Sequence, residues 1–224
     1  MAFAALRFDL RNLPGGPTPT ADLYKSCLEQ CAWADEAGFD YVVLSEHHGA
    51  EDGFIPAPLT LAAAIVGRTK RLPVVVAALL APLNDPVRTA EQLAVLDLAG
   101  RGRVTVVLGA GYRPEEFEMY GVERAGRGKL VEEFAQVLLK GWSGEPFEWR
   151  GREVRVTPVP RTKPHPNVLI GGSSPAAARR AARLGLGFFP SVRDETLVDI
   201  YTRECEELGV SGAWVMLPSG PGFV

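Results

Sequence analysis

From residue 3 to residue 142 short apolar runs alternate with amphipathic stretches of helical period, four times without interruption. The runs are 3–8, "DYVVLS" (40–45), "LPVVVAALLA" (72–81) and "RVTVVLGAG" (103–111). Between them the spacing predicts helices over 22–37, "LTLAAAIVGRTKR" (59–71), "VRTAEQLAVLDLAG" (87–100) and "GKLVEEFAQVLLKGW" (128–142). The first helix carries Leu23, Cys27, Cys31 and Ala34 at four- and three-residue steps, with Thr20 as its cap and Gly38 as its stop. Strands that are continuously Val- and Leu-rich, not alternating, are buried on both faces, as parallel strands under crossover helices are.

One segment breaks the order. Residues 143–167 are rich in Pro, Gly and Arg, with period-two alternation in "FEWRGREVRV", which predicts a surface hairpin or excursion. The alternation resumes with "NVLIGG", the helix "SPAAARRAARLG", the strand "LGFFPS", the helix "DETLVDIYTRECEELG" and a strand-like "AWVMLP". Two readings fit alternating elements, an open doubly wound sheet and a parallel barrel. The junctions "ADEAGFDYVVL" and "AARLGLGFFPS" resemble each other as repeated units do, and neither GxGxxG nor GxxxxGK[ST] follows the first strand. The expectation is therefore an α/β fold, a parallel (β/α)8-type TIM barrel in one domain (1–224) with the excursion at 143–167. Such a barrel needs eight units in about 250 residues; seven strands and six helices are counted in these 224 residues, so the barrel is expected to be incomplete.

Composition narrows the setting. With 46% apolar and 23% charged residues the chain is of ordinary globular type. A formal charge of −3, with both signs interleaved, leaves no basic footprint for nucleic acid. No apolar run reaches the roughly 20 residues that span a bilayer, and "MAFAALRFDLRN" lacks a leader pattern. The expected protein is soluble, untargeted and cytoplasmic, with Cys27, Cys31 and Cys205 as core residues in a reducing compartment.

In a parallel barrel, chemistry gathers where strands end and βα loops begin. The second strand ends in "SEHHG", with two of the chain's three histidines adjacent and next to Glu46. Alternation along a strand puts Glu46 and His48 on one side and His47 on the other. A metal site wants converging ligands and only His165 remains elsewhere, so no metal is expected. A histidine at a strand end suits proton exchange near neutral pH.

"VVLGAGYRPEEF" follows, where Gly109 and Gly111 allow a planar ligand or another backbone to approach, with Tyr112, Arg113 and the pair Glu115/Glu116 beyond. In "LIGGSSPAAARRAA" the residues Gly172, Ser173 and Ser174 lead into a helix with Pro175 at an early position. Its free N–H groups and hydroxyls form a phosphate cradle, or a serine simply caps the helix. Ser191 and Arg193 close the sixth strand and are candidates for contacting a phosphate or a substrate carboxylate.

"GFDYVVLSEHH", "VVVAALLAPLNDPVRTAEQLAVLDLAGRGR", "VVLGAGYRPEEF" and "IGGSSPAAARRAARLGLGF" together resemble the bacterial-luciferase-like flavin-dependent oxidoreductases, in order and spacing and over nearly the whole chain. The resemblance implies a (β/α)8 barrel binding FMN, or in some branches the deazaflavin coenzyme F-420, with the ring over the strand ends and the phosphate at a late helix N-terminus. It implies that His47 is the acid–base group, that Ala77–Ala78 is a cis peptide behind the ring, that Gly109 and Gly111 lie beside the cofactor and that Ser173 contacts the phosphate. Glu46, Tyr112 and Arg113 are then expected on the substrate side. Ala110 stands where luciferase itself has arginine, Gly109 at its cysteine position and Gly172 at its glutamate position, so bioluminescence is not implied and an exchangeable cofactor is.

The implied chemistry is oxidation of a small organic substrate by a monooxygenase using reduced FMN, with a separate flavin reductase as supplier. The alternatives are deazaflavin-dependent hydride transfer and flavin binding without turnover. A homodimer is expected. Family members commonly continue past "VMLPSGPGFV" with a helix, an eighth strand and a last helix. The expectation is thus that a partner covers an open edge, that the chain is a truncated product, or that it is a shortened homologue.

Overall fold

A computed structural model describes residues 4–218; Phe3 of the first apolar run and residues 219–224 lie outside them. Strands β1 (Ala5–Phe8), β2 (Tyr41–Leu44), β3 (Val74–Leu80) and β4 (Val104–Gly109) alternate with helices α1 (Thr20–Ala37), α2 (Pro58–Arg68) and α3 (Pro86–Gly100). After β4 come α4 (Pro114–Tyr120) and α5 (Arg127–Gly141), then β5 (Phe147–Trp149) and β6 (Arg152–Val154). The chain continues through β7 (Asn167–Gly172), α6 (Pro175–Arg183), β8 (Gly187–Pro190) and α7 (Glu195–Leu208).

Six strands form one parallel sheet in the order β1-β2-β3-β4-β7-β8. The order follows the chain and never reverses, whereas a doubly wound sheet turns back at a switch point. A sheet that advances in one direction is a barrel wall. Its middle is dry on both faces: Val42, Leu44, Val74, Val76 and Val106 on one side, and Val75, Val107 and Leu169 on the other, are at most 4% exposed, as the unbroken apolar runs required. Cys27, Cys31 and Cys205 are free thiols buried in the core, as expected.

The predicted seventh strand is present as its first contact. Val215 makes a single parallel bridge with Phe188, whose N–H donates to Trp214 O and whose carbonyl accepts from the Met216 N–H, both at 3.0 Å. Tyr201, buried in α7 and stacked on Phe188, fixes this segment: its hydroxyl donates to Leu186 O at 3.0 Å and accepts from the Trp214 N–H at 3.3 Å. The predicted excursion is a two-stranded hairpin, β5 with β6, turning through Arg150 and Gly151 at φ 49° and 71°. Two successive positive φ values are what a two-residue turn matched to strand twist needs.

Two details differ from the sequence reading. Helix α1 starts at Thr20 with Pro19 as its cap, and the Thr20 hydroxyl accepts from Asn12 Nδ2 at 3.1 Å. Helix α4 falls where a loop is expected, because seven residues are too few to display a period. Gly38 does stop α1, at φ 81° with its N–H on Ala34 O.

The amino-terminal ends of the strands are held by side chains. Asp35 accepts from the backbone N–H groups of Lys70, Arg71 and Leu72 at 2.6–2.8 Å. Burial alone would raise its carboxyl, but those three donors and the Arg71 charge bring it below the usual carboxylate range. The Arg103 guanidinium donates to the carbonyls of Val66, Thr69 and Leu72. The carboxyl ends are left free for loops.

Candidate active site

Beyond Leu44 the backbone leaves the sheet, and the two histidines turn to different partners, His48 sharing a side with Glu46 as strand alternation had placed it. His47 Nδ1 lies 2.8 Å from Glu116 Oε1, and the His48 N–H donates to the same oxygen at 3.0 Å. A carboxylate only accepts, so Nδ1 of His47 carries the proton and Nε2 is its free nitrogen. The ring is held edge-on by Phe54 and Tyr112, at centroid distances of 4.7 and 5.6 Å. Glu116 is 1% exposed and its Oε2 has no partner among the described residues.

His48 turns the other way. Its Nε2 donates to Glu46 Oε1 at 2.9 Å, and its Nδ1 accepts from the Tyr120 hydroxyl at 3.0 Å. Burial, followed by the negative charges of Glu46 and Glu116, pushes the Tyr120 hydroxyl up, which keeps its proton available as a donor. Glu46 Oε2 accepts from the Leu80 N–H, and Asn84 Nδ2 reaches Glu46 Oε1 at 3.3 Å and Leu80 O at 3.0 Å. Glu46, expected on the substrate side, is therefore 3% exposed and turned into a clamp between the loops after β2 and β3. The reason is donor supply: a backbone N–H, an amide and an imidazole converge on it from behind.

His47, Tyr112 and Arg113 do meet, lining an open cavity of about 370 Å³ with Phe54, Arg11 and Asp52. Arg11 is paired with Asp9 at 2.9 Å and Asp52 at 4.0 Å. The cavity does not include the other predicted residues: Glu46, Gly109 and Gly111 adjoin it in sequence without lining it, and the rest lie at the carboxyl ends of β3, β7 and β8. Ala77 and Ala78, joined by a cis peptide, are partly exposed in the middle of an otherwise buried β3. Opposite them, a Cβ at Gly109 would stand 2.8 Å from Ala78 Cβ, and one at Gly111 3.0 Å from the Phe117 ring. A Cβ at Gly172 would be 2.6 Å from Ala177 Cβ. At each of these glycines a neighbouring side chain of the protein comes close.

At the next edge Ser174 caps α6, its Oγ accepting from the Ala177 N–H at 3.3 Å, while Ser173 is exposed. Ser191 and Arg193 are exposed just beyond; the register Gly172↔Pro190 and the bond from the Ser191 N–H to Gly172 O put that loop beside the α6 N-terminus.

The sequence matches the luciferase-like monooxygenase family over residues 6–213. The chain belongs to that family. Among curated relatives, the FMNH(2)-dependent dimethylsulfone monooxygenase of Pseudomonas putida is 30% identical over 168 residues, 70% of this chain and 46% of that one. The chain spans about half the length of the curated relatives it matches. Among solved structures, the monooxygenase RslO1 from Streptomyces bottropensis superposes with a TM-score of 0.83 at 25% identity, covering 96% of this chain and 70% of that one. An F420-dependent secondary alcohol dehydrogenase in complex with an F420-acetone adduct gives 0.77 at 18% identity, covering 96% and 68%, a likeness of fold. The luciferase-like barrel expected from the sequence is thus the fold of the family.

Within this luciferase-like chain, Tyr120, Asn84 and Phe54 join the candidate site without having been named from the sequence, and Glu116, named there beside Tyr112 and Arg113, had no role assigned. Pro114 as a first helical residue and Gly121 as a stop, at φ 64°, were the available signal for α4. A helix there places residues 116 and 120 on one face. Among the described residues no cluster of His, Cys, Asp or Glu converges on a metal position, and no helix is long and apolar enough to cross a membrane.

Proposed function

We propose that this protein is a flavin-dependent monooxygenase that uses reduced FMN on a small organic substrate, with His47 as its proton-exchanging group. The observation that carries the reading is the His47 ring, bordering the cavity with Nε2 free and Nδ1 held by the buried carboxylate of Glu116. A carboxylate behind an imidazole fixes its tautomer and orientation, which a general acid–base group needs. A cavity of about 370 Å³ suits a small ligand.

The residues present fit a flavin. The partly exposed backbone of Ala77 and Ala78, flanked by Gly109, offers a flat apolar bed at the strand ends, and exposed Ser173 beside the α6 N-terminus, with Ser191 and Arg193 nearby, offers donors for a phosphate. Bound reduced flavin would supply the electrons of the reaction. The chain's own part is to hold and move a proton at His47 Nε2, to border the substrate with Tyr112 and Arg113, and to keep the ring of His47 edge-on between Phe54 and Tyr112. The reading includes a separate reductase as the source of reduced flavin, and a homodimer.

The same carboxylate-backed histidine is compatible with a second reading, a deazaflavin-dependent hydride-transfer oxidoreductase, in which bound F-420 would take up a hydride and His47 Nε2 would exchange the substrate's proton. Titrating the protein with FMN and separately with F-420, followed by absorbance and fluorescence, decides between them. Binding of neither overturns both readings. His47→Ala should retain flavin affinity and lose turnover by about 10²–10⁴-fold; unchanged turnover removes its role, and tight FMN binding with no turnover in the native chain leaves a binding protein.

A further inference from the structure

Helix α4 touches both histidines. Glu116 and Tyr120 are four residues apart, one turn along the same face, and they reach His47 and His48 respectively. The two contacts are joined by the His48 backbone, whose N–H donates to the very oxygen of Glu116 that holds His47. His48 itself is fixed at both ring nitrogens, by Glu46 on one side and by the Tyr120 hydroxyl on the other. Its ring is 94% shielded from solvent, and Glu46 is anchored to Leu80 and Asn84. A chain of donors and acceptors thus runs from the half-exposed Tyr120, through a buried imidazole, to two βα loops and back to the cavity.

We propose that Tyr120 and His48 are positioning residues for the His47–Glu116 pair: the Tyr120 hydroxyl, together with Glu46, fixes the His48 ring in its Nε2–H form, and the residue so fixed aims its N–H at Glu116 and keeps that carboxylate in place to hold the proton of His47 on Nδ1. The inference rests on the acid–base role of His47 proposed above. Without the hydroxyl, His48 Nδ1 has no donor: Glu46 still favours the proton on Nε2, but by one hydrogen bond less, and the ring, tethered at one nitrogen, is free to turn about that bond. The bond from His48 N–H then slackens, and the Glu116 carboxylate, no longer pinned by that backbone donor, is free to turn away from His47 Nδ1. No group other than Tyr120 donates to His48 Nδ1 among the described residues.

Tyr120→Phe tests this, because it removes one oxygen from a side chain that is 43% exposed and leaves the ring contact with His48, at 4.8 Å, in place. Long-range ¹H–¹⁵N spectra of the imidazoles in the full chain report each tautomer, and with three histidines the assignment is short, His165 serving as the unaffected reference. Native protein should show His48 protonated on Nε2 and His47 on Nδ1. In the variant the His48 tautomer ratio should shift roughly fivefold, the equivalent of one neutral hydrogen bond of about 1 kcal/mol, and the Nδ1–H share of His47 should fall with it. A change at His48 alone, or at neither ring, overturns the proposal. Native protein that binds no flavin would overturn the proposed function and leave the ring-nitrogen result standing.

Discussion

Replacing Gly109 by alanine would put a methyl carbon 2.8 Å from Ala78 Cβ, 3.6 Å from Leu79 O and 3.8 Å from Leu80 Cδ2. Carbon atoms rest at about 3.5–4.0 Å, so one backbone must yield by roughly an ångström. Neither can do so alone. Gly109 pairs with Leu80 at the end of a ladder that runs back to Val74↔Val104, and the register between β3 and β4 already skips a residue at Ala78. Overpacking of this kind costs about 1–3 kcal/mol, and the stiffer unfolded chain of alanine returns about 0.4–1 kcal/mol. The net loss is about 1.3 kcal/mol at mid-range (about 0–2.6), a fall in Tm of about 3–5 °C for a chain of this size. Urea and thermal unfolding by circular dichroism measure it, with an FMN titration on the same samples. If stability is unchanged and flavin affinity alone is lost, the space at Gly109 belongs to a ligand and the packing argument is wrong.

Glu116→Ala should destabilise the protein by about 1–3 kcal/mol in urea, because it leaves the His48 N–H and His47 Nδ1–H without their acceptor; an unchanged midpoint would mean that water replaces the carboxylate. Asp35 predicts a pH dependence. Its folded carboxyl lies below the usual range, so its stabilisation is present above the unfolded value of about 3.9 and is lost as pH falls through the folded one. The stability gap between native protein and Asp35→Asn should therefore be full at pH 7 and shrink on acidification below about pH 4, as measured by urea unfolding across pH; a gap that grows on acidification would contradict the bonding seen at Lys70, Arg71 and Leu72.

The wall of the barrel was legible because burial on both faces leaves an unmistakable mark, the unbroken apolar run. The divergence of His47 and His48 was legible for a similar reason, since a pleat has a fixed period. Glu116 and Tyr120 were not, although they complete the site, because they lie 69 and 72 residues from the histidines they meet. Their arrival depends on where α4 rests. That is decided by a small separate core, Phe117 buried with Leu80 and Leu83 and backed by Val122, and by a glycine at 111 that lets the Phe117 ring come close. Nothing in the local sequence ranks that cluster above any other set of apolar residues.

Glu46 shows the converse. A carboxylate beside two histidines at a strand end carries the same local signature whether it faces substrate or braces the loops. What separates the two is the number of donors that reach it, and here these come from positions 34 to 38 residues away, one of them the backbone of Leu80. A backbone donor has no sequence signature at all. The bracing role has a consequence for the chemistry: because Glu46 fixes His48 and the loop after β3 together, the alanine bed on β3 and the histidine pair after β2 are parts of one rigid edge. On the flavin reading proposed above, the alanine pair and His47 would act at a fixed separation, and Glu46, bonded to His48 on one side and to Leu80 and Asn84 on the other, is the contact that ties the two segments together.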